Sequence, residues 1–168
     1  MILHCTQKLA AKLPEVSTTP LAETSPLGSW HAHLYTYDRR QCVLFCHDES
    51  RYCLFLPGLV KTDFAELGRL HREQFLATLV ALNVPESLLH RLVLALGPMQ
   101  FDRNTDRSVL GSLRTADTDL SWLIHDMHVM DCTPVAVSLK LNERPTSVKG
   151  KWLHPSKVML ERLKLLAG

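Results

Sequence analysis

The sequence predicts an α+β domain in which an antiparallel three- to four-stranded sheet, drawn from the N-terminal half, packs against a layer of four to five helices. Three observations carry that expectation. Short apolar runs divided by polar clusters occupy residues 30–56, apolar positions at three- and four-residue spacing dominate residues 62–128, and the strand-like segments precede the helical ones instead of alternating with them. The 168 residues, 46% hydrophobic and 21% charged, suit a single domain over 1–168 with a core of its own.

Met1–Cys5 reads as a short strand, and Thr6–Leu13 as a short helix with Thr6 at its N-cap and Pro14 as its stop. Pro14, Pro20, Pro26 and Gly28, with the Ser and Thr between them, make residues 14–29 a long loop suited to a lid or a partner contact. Trp30–Tyr37, Gln41–His47 and Tyr52–Leu56 follow as a meander, divided by Asp38-Arg39-Arg40 and Asp48-Glu49-Ser50-Arg51 and ended by Pro57-Gly58. The run Cys42-Val43-Leu44-Phe45-Cys46 is apolar on both faces, which places it centrally with cover on both sides.

Phe64, Leu67, Phe75, Leu79 and Leu82 set a helix over Thr62–Asn83, broken by Asn83-Val84-Pro85. Glu86–Leu96 is a second helix, closed by Gly97-Pro98. After an extended piece at Met99–Phe101, a third helix starts near Thr105 and runs to about His128, burying Val109, Leu113, Ala116, Leu120, Leu123 and Met127. Thr133–Leu141 alternates like a strand, yet Thr133-Pro134 is a cap and first-turn proline, and helix is favoured. Residues 142–153 read as loop and Pro155–Leu166 as the last helix.

Several function classes are excluded at this level. A net charge of +2 is too small to announce a nucleic-acid or membrane surface, although Lys140–Gly168 carries +5 against −3 for the rest. That basic segment is either a solvated face or a contact for an acidic partner. Five cysteines without a Cys-x-x-Cys pair read as reduced thiols and not as a disulfide frame or zinc knuckle. No apolar run reaches the ~20 residues of a membrane span, and the first residues lack the pattern of a signal peptide, so a cytoplasmic protein without membrane partners is expected.

Three constellations could carry chemistry. His31 and His33 share a strand face, and if Tyr37 pairs with Gln41, His47 falls opposite His31, giving a candidate metal site of His31, His33 and His47 with Asp48 beside it. A one-residue slip in register would send His47 to the other face. On the third helix, Arg107, Gly111, Arg114, Thr118, Ser121, His125 and His128 form one stripe, and Asn104, Thr105, Arg107 and Ser108 at its start could take a phosphate or carboxylate on free amides. The plainer alternative there is a capped helix with Arg107 paired to Asp102 or Asp106. Asp117, Asp119, His125, Asp126, His128 and Asp131 have the composition for metal-assisted hydrolysis without a recognised ligand spacing. His71, between Leu67 and Phe75, reads as a core histidine, and Trp152 amid Lys149, Lys151 and Lys157 as either a core anchor or a contact residue.

The segment Asn104-Thr105-Asp106-Arg107-Ser108-Val109-Leu110-Gly111-Ser112-Leu113, with Cys5-Thr6-Gln7-Lys8-Leu9, Leu27-Gly28-Ser29-Trp30 and Val43-Leu44-Phe45, resembles a bacterial family of uncharacterised small domains. The resemblance spans most of the chain and implies a bacterial or mobile-element origin. In that family the Arg-Ser-Val-Leu-Gly-Ser core follows an Asn, where this chain has Asp106, and no catalytic residue carries over.

The leading expectation is a non-enzymatic binding protein acting on a protein or nucleoprotein partner, for example as an inhibitor or accessory factor, with no cofactor. Its contacts are expected at Asn104, Arg107, Ser108, Arg114, Lys149, Lys151 and Trp152, with direct nucleic-acid contact open to the basic C-terminal segment. The alternatives are a metal-dependent hydrolase or phosphodiesterase on the His/Asp residues, and a small-anion sensor at Asn104–Ser108.

Overall fold

In the computed structural model, which describes residues 1–167, the apolar run at the start of the chain becomes an interior strand. β1 (Ile2–Cys5) pairs in parallel with β2 (Trp30–Tyr37) on one side and β5 (Gln100–Asp102) on the other. β2, β3 (Arg40–His47) and β4 (Cys53–Leu59) form the expected antiparallel meander, so the strand order is β4-β3-β2-β1-β5. The sheet is thus five-stranded and mixed, which corrects the purely antiparallel expectation. The cause is the connection through α1 (Gln7–Ala10) and the following loop, which carries the chain back before β2 begins. The extended piece near residue 100 then docks on the free side of β1.

Helices cover both faces of this sheet, where one layer was expected. On one face Leu3, Trp30, Val43, Phe45 and Leu54 meet α3 (Leu67–Ala81), α4 (Glu86–Leu96) and α7 (Pro155–Ala167). On the other, Cys42, Leu44, Cys46 and Phe55 meet Val109, Leu113 and Leu120 of α5 (Arg107–Leu123) and Val137 and Leu141 of α6 (Pro134–Glu143). β3, apolar on both faces, is buried from Cys42 to His47 between the two layers.

Other boundaries differ for local reasons. The helix expected over Thr62–Asn83 is α2 (Lys61–Ala65) followed by α3, parted at Glu66 with φ −106° and ψ 13°. α5 stops at Leu123, and Met127, expected in the core, is exposed while Ile124 is buried. The segment 134–143 is helical as favoured, whereas 142–153, expected as loop, includes the hairpin of β6 (Thr146–Val148) and β7 (Lys151–Leu153). β4 continues through Pro57-Gly58, where Gly58 has φ +66° and any Cβ would overlap the Met130 thioether.

Two side chains of α6 finish the hydrogen bonding of β4. Asn142 accepts from the Cys53 amide at 2.6 Å and donates to the Cys53 carbonyl at 2.7 Å, while Ser138 accepts from the Phe55 amide at 3.0 Å. Backbone groups that face away from β3 are thereby satisfied inside the protein.

Candidate functional site

The β2–β3 turn decides where the histidines go. Asp38 and Arg39 both have positive φ, 48° and 62°, and form a two-residue turn that pairs Tyr37 with Arg40. The Tyr37–Gln41 pairing assumed above is corrected by one residue: His47 lies opposite Trp30, and His31 lies opposite Cys46. His47 therefore sits on the other face of the sheet from His31 and His33, and the three do not converge. Its Nδ1 accepts from the Ser50 amide at 3.1 Å and Nε2 donates to the Leu27 carbonyl at 2.8 Å, which leaves neither nitrogen for a metal. Burial, ahead of the other influences, brings its pKa down to about 4.

Parallel pairing instead aligns Asp102, His4 and His31 in one row across β5, β1 and β2. His4 Nδ1 meets Asp102 Oδ1 at 2.5 Å, and the His4 and His31 rings lie 4.8 Å apart. His31 Nδ1 bonds Asp48 Oδ1 at 2.7 Å, while its Nε2 accepts the Asp106 amide at 2.7 Å, which fixes the tautomer with the proton on Nδ1. His4 Nε2 faces Asp48 Oδ2 at 4.0 Å. Burial pushes the Asp102 carboxyl upward, but hydrogen bonds from the Leu21 amide, His4 and the Asn104 amide outweigh it and hold the group below its usual range.

The same row anchors the start of α5. Asp106 caps the helix by accepting from the Ser108 and Val109 amides at 2.8 and 3.1 Å, and Arg51, 5% exposed and at φ +58°, donates to Ser108 Oγ at 3.0 Å and to the Asp48 carbonyl. The Asn104 amide goes to Asp102 Oδ1 at 3.1 Å. The Asn104, Thr105, Asp106 and Ser108 amides, on which an anion would rest, are thus occupied from within the protein. Arg107 has no ion pair among the described residues, with Asp102 or Asp106 or otherwise, and Gly111 opens to space with nothing within 4 Å of an added Cβ.

The remaining sequence candidates disperse. Arg107, Gly111, Arg114, Thr118, Ser121, His125 and His128 face solvent. Asp117 accepts from the Tyr37 hydroxyl, Asp119 pairs with Arg144 at 2.5 Å, His125 pairs with Asp126 at 2.9 Å, and His128 accepts from the Met130 amide at 3.1 Å. No group of three or more His, Cys, Asp or Glu arranged to hold a metal occurs among the described residues. Lys149, Lys151 and Trp152 stay together on the β6–β7 hairpin, with Trp152 73% exposed. His71 is fully buried against Trp30 and Phe45, and burial brings its pKa down to about 3.

A cleft of about 570 Å³ opens at the far end of the meander, where the end of α1, the β2–β3 turn, the end of β4 and α2 meet. Lys12, Arg39, Arg40 and Lys61 line it, with Val60 and Phe64 between them and no carboxylate in the wall. None of the four cations takes part in an ion pair or side-chain hydrogen bond among the described residues.

Residues 2–158 match a domain family of unknown function, DUF6933. The chain belongs to the DUF6933 family. The match covers both sheets, the polar row and the cationic cleft, and ends within α7. No curated protein matches the chain.

In this DUF6933 chain the sequence reading missed His4, Asp102 and Arg51, and it missed the cleft. His4 is one polar residue in an apolar strand, and its partners arrive from residues 48 and 102. The cleft gathers cations from four places in the chain; only the adjacent Arg39 and Arg40, held outward by a left-handed turn, gave a local signal.

Proposed function

We propose that this DUF6933 protein is a non-enzymatic binding protein that takes an acidic segment of a partner protein into the cationic cleft. The single observation that carries the reading is the set of four unpaired cations around a concavity with no carboxylate in its wall. Val60, 56% exposed between them, adds an apolar contact, so the fitting segment alternates acidic and aliphatic side chains. A net charge of only +2, and a cleft wall without an exposed aromatic ring, favour such a peptide over a nucleic acid. The polar row supports the same reading: His31 spends one ring nitrogen on Asp48 and the other on the Asp106 amide at the start of α5, and His47 spends its two on Ser50 and the Leu27 carbonyl before β2, so both rings are used up in structural bonds. A bacterial cytoplasmic setting, with a role as inhibitor or accessory factor on a protein or nucleoprotein assembly, accords with this surface.

The test is fluorescence anisotropy with a labelled peptide of alternating Glu and Leu, with the triple variant Arg39→Glu, Arg40→Glu, Lys61→Glu as control. Binding that weakens with salt and falls at least about tenfold in the variant supports the assignment. Equal binding by the variant, or tighter binding of a labelled DNA duplex than of the peptide, overturns it.

A further inference from the structure

We propose that a second, smaller cavity between α5 and the strands β1 and β2 binds a small zwitterion of the α-amino-acid type, its carboxylate on Arg114 and its ammonium on Asp117. The cavity measures about 230 Å³ and is lined by Thr6, His33, Tyr35, Arg114 and Asp117, with an apolar wall from α5. That volume lies below the range of about 300–1,000 Å³ typical of drug-sized ligands and suits a molecule of a few heavy atoms.

The charges select the ligand. Arg114 and Asp117 are three residues apart on one helix and line the same cavity, yet they form no ion pair with each other. A guanidinium without a partner is a fork for a carboxylate, and a carboxylate beside it accepts an ammonium group. A simple anion would satisfy Arg114 and be repelled by Asp117; a simple cation would meet the reverse. A molecule carrying both charges on one carbon pairs with both residues, its ammonium on Asp117 beside the Tyr37 hydroxyl that this carboxylate already accepts.

The neutral groups fit the same occupant. Thr6 Oγ1 and His33 Nδ1 share a 2.7 Å hydrogen bond, so a hydroxyl that donates to Nδ1 leaves the imidazole proton on Nε2 as a further donor. His33 and Tyr35 stack edge to face with centroids 4.5 Å apart and form a firm wall for a short side chain. Burial, followed by the Lys8 charge, holds the His33 pKa below its usual value, so the ring is a neutral donor that adds no charge at neutral pH.

Isothermal titration of the whole protein with L-alanine, acetate and methylammonium separates the outcomes. Saturable binding of L-alanine, with acetate and methylammonium each at least about tenfold weaker, is the expected result. Arg114→Gln and Asp117→Asn should each weaken L-alanine by about tenfold or more; Asp117→Asn keeps an oxygen for the Tyr37 hydroxyl, and unchanged circular dichroism and melting temperature confirm that both variants fold. Acetate binding as tight as L-alanine, full binding by either variant, or no heat from L-alanine at about 10 mM, the millimolar regime of a weak small-ligand site, overturns the assignment.

Discussion

His4 and Asp102, 98 residues apart in the chain, are joined by a 2.5 Å hydrogen bond from Nδ1 to Oδ1 across adjacent parallel strands. The carboxylate also accepts the amides of Leu21 and Asn104, so one buried group ties β1, β5, the long loop and the approach to α5. Asp102→Ala strands all three donors. Its expected cost is about 3–5 kcal/mol, read from urea unfolding at pH 7, and a loss below about 1 kcal/mol would show that the pair carries no structural weight.

Acid should loosen the protein in two steps. His47 and His71 have folded pKa values of about 4 and about 3, below their unfolded values near 6.5, so the unfolded chain takes up more protons below that pH. Their contribution is complete above pH ~6.5 and declines toward pH 4 by up to about 1.4 kcal/mol per pH unit for each ring. Asp102 adds a later step, since its depressed folded pKa gives stability that is present above about 3.9 and lost as the pH falls through the lower folded value. His71→Leu removes a ring whose two nitrogens have no hydrogen-bond partner among the described residues, and it should flatten the slope between pH 6.5 and 4. An unaltered slope would place that acid sensitivity elsewhere.

Asn142 makes both bonds to Cys53 from one carboxamide. Asn142→Ala leaves a buried amide and carbonyl unpaired, with an expected loss of about 2–4 kcal/mol in chemical denaturation. Asn142→Asp should cost at least as much, because it keeps the acceptor for the Cys53 amide but opposes an oxygen to the carbonyl. Retained stability in either variant would contradict the role given to α6.

The five cysteines are free and buried. Burial, with the Asp102 charge behind it, pushes the Cys5 thiol up to about 12, and a hydrogen bond with Cys53 and burial also raise Cys46. Ellman's reagent should find no fast-reacting thiol in the native protein and five in guanidinium. A stoichiometric fast thiol under native conditions would contradict the burial of these five side chains.

Chelation bears on the metal-dependent alternative. His31 and His47 have both ring nitrogens engaged, and His33 shares Nδ1 with Thr6. Dialysis against EDTA should leave the melting temperature unchanged. A drop on chelation, reversed by zinc or manganese and absent in His4→Gln, would instead put a metal at His4 and Asp48.

The two-faced run of β3 and the stripes of α4 and α5 were legible because each is a local pattern with a single physical cause. The register of the meander was not. Asp38-Arg39 lacks the glycine that usually marks a turn with two positive φ angles, and one residue of ambiguity decides which histidines share a face. The central position of β1 was hidden for another reason: four residues give no sign of a parallel partner about a hundred residues away. The polar row was therefore unreadable as a unit, although His31 and Asp48 were each noticed, and the anion site assumed at Asn104–Ser108 depended on amides that Asp102, Asp106 and His31 already hold.

The carboxamide of Asn142 and the hydroxyl of Ser138 have a consequence for assembly. An open sheet border is a template on which a foreign peptide can lay itself as an extra strand, the usual route both to peptide capture and to aggregation. At β4 that template is taken by α6, and at β5 the Ser17 amide occupies the Phe101 carbonyl at 2.8 Å. Neither flank of the main sheet is open to extension at these positions, so a partner of the kind proposed would meet side chains projecting from its turns and helices.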